Sequence, residues 1–204
     1  MTTRRARDRD KREALLLAAR DVLVEQGYHQ AKIDEIARRA GVAKGTYYLY
    51  FPDKRAIFAE LLGGLVARIE AAIVRVDETA ELGAQVRHNI RATIAVLAED
   101  PELARIVLGP TPGLDGVFRD TVVQMHERVV AMLAKALTDG QALGVVSDGP
   151  PDLLASFAVG ALKESVLRSV DLRPARREQI VAELARVLEQ GFLRLPPDGT
   201  TNAG

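Results

Sequence analysis

Apolar residues recur at steps of three and four along almost the whole chain, and this one regularity excludes most architectures. Ile57, Phe58, Leu61, Leu62, Leu65, Val66, Ile69, Ile73 and Val76 form a single stripe on a helix. The same residues would scatter over both faces of a strand. Leu82, Val86, Ile90, Ile94 and Leu97 repeat the period, as do Ala14, Leu15, Ala18, Val22 and Leu23. No segment alternates with the period of a strand, none is an internal repeat and none is of low complexity. The pattern predicts an all-α chain of about nine helices, three short ones in residues 1–54 and six in residues 55–195, ahead of a disordered tail at 196–204.

Punctuation between the stripes supports this division. Gly27 is a helix stop after residues 10–26, and Gly41 ends the segment 34–40, which opens on the acids Asp34 and Glu35. Pro52-Asp53 breaks the chain, and Asp53 is placed to cap the long helix that follows. Gly63-Gly64 within that helix is a candidate bend. Asp100-Pro101 is a compact helix start. "GPTPG" at 109–113 reads as a turn and "DGPPD" at 148–152 as a break, leaving helices at 115–142, 152–170 and 174–193.

Composition narrows the function classes. The 204 residues include no Cys, which removes disulfides, thiolate metal sites and a Cys nucleophile, and fits a reducing cytoplasm. No apolar run approaches the roughly 20 residues of a membrane helix, and the N-terminus lacks the apolar core of a signal peptide. His29, His88 and His126 show no paired metal-ligand spacing, and no nucleophile-elbow or phosphate-loop motif is present. No catalytic residues, metal or cofactor are therefore expected. Net charge is zero but unevenly spread, with 13 Lys+Arg against 8 Asp+Glu in residues 1–55. The remainder is acidic, with 15 against 20. A basic head on an acidic body points to a polyanionic partner, against the alternative of chance surface asymmetry.

The head carries a second anomaly. Four of the chain's nine aromatic residues fall within "GTYYLYF", residues 45–51. Residues 34–50 have the spacing of a helix-turn-helix, with Ile36 and Ala37 facing inward, Ala40-Gly41-Val42 as the turn and a short second helix after it. In this motif the second helix lies in the DNA major groove. A tyrosine there offers an apolar ring and a hydroxyl for phosphate, while Lys44 and Thr46 stand at the start of the helix. Phe51 is expected to dock inward, and at least two of Tyr47, Tyr48 and Tyr50 to face DNA. The arm at 2–12, with interleaved acids, is either a further source of phosphate contacts or a solvated, partly frayed helix start.

Residues 10–58, and above all "IDEIARRAGVAKGTYYLYFPDKRAIF" (33–58), resemble the DNA-binding domain of the TetR family of transcriptional regulators. The resemblance implies a recognition surface of Lys44, Gly45, Thr46, Tyr47, Tyr48 and Tyr50, with Gly45 admitting the DNA backbone and Lys54 contacting phosphate. It departs from the family pattern at Ala43, where Ser or Thr is usual, a lost helix cap costing about 1 kcal/mol. It departs again at Lys32, often Thr in the family, although lysine also reaches a phosphate.

For the body the resemblance implies a homodimer that brings two heads to one double-stranded operator. The expected interface is Leu153, Phe157, Gly160, Ala161 and Glu164 with Ile180, Leu184, Val187 and Leu188; the alternative is that these stripes are intrachain core. It also implies a pocket for a small apolar or amphipathic effector in the middle helices, with His88, Arg91, Ile94, Val107, Phe118, Val122 and His126 as candidate lining. The expected protein is a repressor released from its operator by that effector, without membrane attachment. The competing classes are an enzyme, for which no constellation is visible, and a helical adaptor whose head no longer binds DNA, against which the intact "KGTYYLYF" argues.

Overall fold

The computed structural model describes residues 2–74, 81–109, 116–169 and 173–192. Among them are nine helices and no extended strand: α1 Thr2–Gln30, α2 Ile33–Arg39, α3 Lys44–Tyr47, α4 Lys54–Ala72, α5 Leu82–Glu99, α6 Pro101–Leu108, α7 Gly116–Ala142, α8 Pro151–Ser169 and α9 Pro174–Phe192. The all-α expectation holds. Proline opens α6, α8 and α9, where its missing N–H would have no helical partner in any case. Asp53 caps α4 as expected, its Oδ1 accepting from the Ala56 amide at 2.8 Å. The expected tail at 196–204, most of the turn at 109–113, and Val76 lie outside the described residues.

One expectation about the first helix needs correction. It is not short, since it runs back to Thr2. Gly27 stops its regular part as expected: at φ 73° and ψ 168° the backbone leaves helical geometry, and one further turn follows to Gln30. The positive φ costs glycine nothing, so the chain changes direction there and resumes. Gly63-Gly64 does not interrupt α4.

The chain divides into two compact units, Met1–Ala67 with Glu102–Met125, and Arg68–Pro101 with His126–Gly204. The first therefore extends past residue 54 and takes in most of α4. In this unit α1 packs on α2, and α2 on α3. Leu15, Ala19, Val22 and Leu23 of α1, Ile36 and Ala37 of α2, and Ile57, Phe58 and Leu62 of α4 are fully or almost fully buried. Gly41, at φ 67°, ends α2 in a Schellman turn. The Val42 amide donates to the Ala37 carbonyl at 3.0 Å and the Gly41 amide to that of Arg38 at 3.1 Å. This reversal is the turn of the helix-turn-helix, and it aims α3.

In the second unit α5, α8 and α9 pack on one another. Ile90, Ile94 and Leu97 of α5, Ala155 and Val166 of α8, and Val181, Leu184 and Ala185 of α9 are buried. Arg87–Glu189 at 2.8 Å and Arg91–Glu178 at 2.8 Å tie α5 to α9. Leu184 is thus core rather than outward-facing, because it shares the buried stripe Val181–Leu184–Ala185 that α9 turns inward. Leu153, Phe157 and Val187, by contrast, are exposed large apolar residues, and Gly160 and Glu164 lie exposed on the same stripe of α8. Ile180, Leu188 and Ala161 are half-buried.

Candidate nucleic-acid interface

The helical part of α3 is only four residues, but helix-like hydrogen bonds continue through Phe51. The Leu49 amide donates to Thr46, and those of Tyr50 and Phe51 to Tyr47, at 2.9–3.2 Å. No side chain caps its start: Ala43 is the N-cap residue and makes no such bond. On a turn of this pitch residues 47 and 51 share one side, and 45, 48 and 49 the other. Tyr47 and Phe51 are buried, while Lys44, Gly45, Tyr48 and Leu49 are exposed.

Tyr47 is therefore not part of an outward surface. Its side chain is 0% exposed, its hydroxyl donates to the Asp53 carbonyl at 2.9 Å, and its ring lies 5.8 Å from that of Phe51. Burial, with Asp53 a smaller influence, pushes its hydroxyl well above the ordinary tyrosine range. Tyr48 is the outward ring, 49% exposed and edge-on to Tyr47 at 5.5 Å. Tyr50 is half-buried and donates to Asp8 at 3.2 Å. Partial desolvation and then the Asp8 carboxylate raise its pKa. Leu49, absent from the expected contacts, is 81% exposed.

The cations are similarly sorted. Lys44 lies exposed with its ammonium 2.6 Å from Asp34, which raises its pKa. Lys32 is exposed just before α2, at an open cleft shared with Gln26, Gln30 and Glu35. Lys54 is not a simple outward cation. Its ammonium donates to the Tyr28 carbonyl at 2.7 Å, reaches that of His29 at 3.4 Å, and sits 4.3 Å from the centre of the Tyr28 ring. It joins the end of α1 to the start of α4, where helix-end carbonyls favour a cation. Thr46 is half-buried. In the arm, the exposed Arg12 pairs with Glu60 and lies over the Phe51 ring, so it braces the motif from the surface.

A charged cluster fixes α2 on α1. Arg39 bonds Glu25 of α1 at 2.6 Å and Glu35 at 2.7 Å, and Arg38 bonds Glu35 at 2.7 Å. The hydrogen bonds from Arg38 and Arg39 hold the Glu35 carboxyl down at about 2, against an ordinary 4.5. A carboxyl with a lowered folded-state pKa adds stability above its unfolded value and loses it as pH falls through the folded one. Both partners of Glu35 lie on α2, so acidification from about pH 4.5 to 2 should fray that helix. Protection of the Ile36 and Ala37 amides, taken relative to intrinsic exchange at each pH, should fall in that window in the parent and much less in Glu35→Gln. Matching acid profiles in the two proteins would refute the assignment.

A family profile of bacterial regulatory proteins of the TetR family matches residues 15–61, and one for the tetracyclin repressor-like C-terminal domain matches residues 81–190. The fatty acid metabolism regulator protein of Bacillus subtilis is 31% identical over 163 residues, covering 78% of this chain and 82% of that protein.

The chain belongs to the TetR family.

It is a TetR-family transcriptional regulator and not an enzyme. Solved TetR-like structures agree in fold. The fatty acid degradation regulator FadR of Bacillus halodurans superposes with a TM-score of 0.73 at 26% identity, covering 89% of this chain and 95% of its own. FadR of B. subtilis in complex with stearoyl-CoA gives 0.70 at 26%, covering 86% and 96%.

The residues expected at a TetR effector pocket separate by environment. Ile94, Val107 and Val122 are buried aliphatics. Arg91 is exposed and engaged by Glu178, so it braces two helices rather than facing a cavity. His88 is exposed with its Nε2 3.3 Å from the Ala72 carbonyl, and His126 is exposed. None of these three polar side chains is buried where a ligand would be enclosed. The Phe118 side chain lies outside the described residues. No helix among the described residues is long and apolar enough to cross a membrane.

Proposed function

We propose that the chain is a homodimeric cytoplasmic repressor that reads double-stranded operator DNA and leaves it when a small amphipathic effector binds. The observation that carries the DNA-reading part is the outward face of residues 44–49. It presents Lys44, the side-chain-free Gly45, the Tyr48 ring and Leu49 from the second helix of a helix-turn-helix, with Lys32 exposed before α2. Thr46, Tyr50 and Lys54 flank this face. They reach phosphate only by shifting or sharing their present partners, and Tyr47 supports it from beneath.

Two heads are needed because one such helix reads few base pairs. The exposed stripe Leu153, Phe157 and Gly160 on α8, with Val187 exposed and Ile180 half-buried on α9, is suited to a two-fold partner: apolar, with a glycine permitting close approach and Glu164 at its end. For the effector, an acyl chain with a polar head is favoured. One B. subtilis relative is a fatty acid metabolism regulator protein, and the similar solved structure of FadR from B. subtilis is a complex with stearoyl-CoA.

The test is fluorescence anisotropy on DNA flanking the protein's own gene, followed by titration with stearoyl-CoA, free stearate and CoA alone. A sequence-selective, salt-sensitive complex released by stearoyl-CoA at micromolar concentration, and not by CoA, is the expected result. Release requires the effector to prefer the DNA-incompetent conformer, and a hundredfold weakening corresponds to about 2.7 kcal/mol of coupling. A selective complex indifferent to all three compounds would rule out the acyl class. Equal binding to every sequence would rule out operator reading.

A further inference from the structure

Leu49 is the most exposed large apolar side chain among the described residues, at 81%. Its position is not a loose end. Its amide donates to the Thr46 carbonyl at 3.2 Å, so a helical turn fixes where the side chain leaves the backbone. It lies one turn beyond Gly45, on the same side. A Cβ built at Gly45 would meet nothing within 4 Å, and glycine there has no positive φ to accommodate. Nothing inside the protein therefore calls for glycine at 45 or for leucine at 49. Together they form a smooth, apolar, unobstructed strip beside the Tyr48 ring.

We infer that Leu49 reads the C5-methyl group of thymine in the major groove. This inference rests on the DNA-reading assignment above. A leucine side chain has no donor or acceptor, so it gains nothing from a phosphate and cannot distinguish bases by hydrogen bonds. The major-groove edge of a base pair offers one apolar projection, the thymine methyl, and apolar side chains are its natural contact. A missing side chain at 45 lets the backbone approach closely enough for a residue one turn on to reach that methyl. The flanking polar groups, Lys44 and the Tyr48 hydroxyl, would then set register on the phosphates while Leu49 adds discrimination.

The experiment begins with an operator selected from a random-sequence duplex pool by the full-length protein. Each thymine in that operator is then replaced singly by uracil, which keeps every hydrogen-bonding group and removes only the methyl. Affinities are measured for the parent, Leu49→Ala and Leu49→Met, after thermal melts confirm that these exposed substitutions leave folding unchanged.

The parent should bind about fourfold more weakly when the contacted methyl is removed, which is the transfer free energy of about one methyl group. Leu49→Ala should lose that dependence at the same position and keep the parent's profile elsewhere. Leu49→Met, still apolar and long enough to reach, should retain part of it. A selective complex whose uracil scan is flat, or a Leu49→Ala variant with the parent's full thymine dependence, overturns the inference and leaves operator reading intact. Failure to select any sequence at all would instead overturn operator reading, and this inference with it.

Discussion

Tyr47→Ala is expected to destabilise the DNA-reading unit severely, whereas Tyr48→Ala should leave its stability nearly unchanged and weaken its hold on DNA. The two residues are adjacent and chemically identical, yet they face opposite ways. Tyr47 is fully buried against Phe51, with its hydroxyl donating to the Asp53 carbonyl just before α4. Removing a buried aromatic side chain costs about 3–5 kcal/mol, a large part of the about 5–15 kcal/mol that holds a domain together. The Asp53 carbonyl would lose its partner as well. Tyr47→Phe keeps the ring and should cost only about 1 kcal/mol. Tyr48 is half in solvent, so its truncation should shift the melting temperature little. As an interfacial aromatic it should nevertheless cost operator affinity tenfold to a hundredfold, or about 1.4–2.8 kcal/mol. Thermal melts beside anisotropy titrations separate the two outcomes. A Tyr47→Ala that melts with the parent, or a Tyr48→Ala with the parent's affinity, would refute the assignment of faces.

In the dimer proposed above, Phe157→Asp should separate the two copies into monomers. Phe157 is 57% exposed in the single chain, on the α8 stripe that also carries Leu153 and Gly160. An aromatic anchor contributes about 2 kcal/mol or more to an interface. In a two-fold assembly each substitution acts on both copies, so the expected loss is about 4 kcal/mol, roughly a thousandfold in the dimer dissociation constant. Placing two carboxylates near the axis adds repulsion. Sedimentation velocity across a micromolar range reads this directly, and operator affinity should fall with it. Leu184→Ala gives the contrast: buried in α9, it should lower thermal stability by about 2–5 kcal/mol whatever the assembly state. A Phe157→Asp variant that sediments as the parent does would place the interface elsewhere.

Helix number and order were legible because a long stripe leaves little freedom in phase. Ile57, Phe58, Leu62 and Leu65 could share a face only one way, and they are the buried residues of α4. The turn was legible too, since Gly41 is the one residue there suited to its φ of 67°. The aromatic cluster was not fully legible. In a helix of four residues a shift of one position exchanges the inner and outer sets, and three tyrosines gave no stripe long enough to choose. Leucine ordinarily signals core, and only its exposure marks Leu49 out. The engagement of Lys54, Arg91 and His88 was not legible for another reason. Their partners, the Tyr28 carbonyl, Glu178 and the Ala72 carbonyl, lie 26, 87 and 16 residues away in sequence. Such pairings follow from packing, and local patterns do not encode them.

Because most of α4 belongs to the same unit as α1–α3, this DNA-reading module cannot be excised at the helix-turn-helix boundary. A hybrid regulator joined at residue 54 would leave Ile57, Phe58 and Leu62 to be supplied by a foreign helix, along with Glu60, the partner of Arg12. A donor segment running to Ala67 carries those residues with it. It still leaves behind Glu102 at the start of α6, which lies 3.5 Å from Arg20. Anyone building a biosensor from this scaffold should therefore exchange sensing parts downstream of the head, and place the splice beyond residue 67 rather than beside the turn.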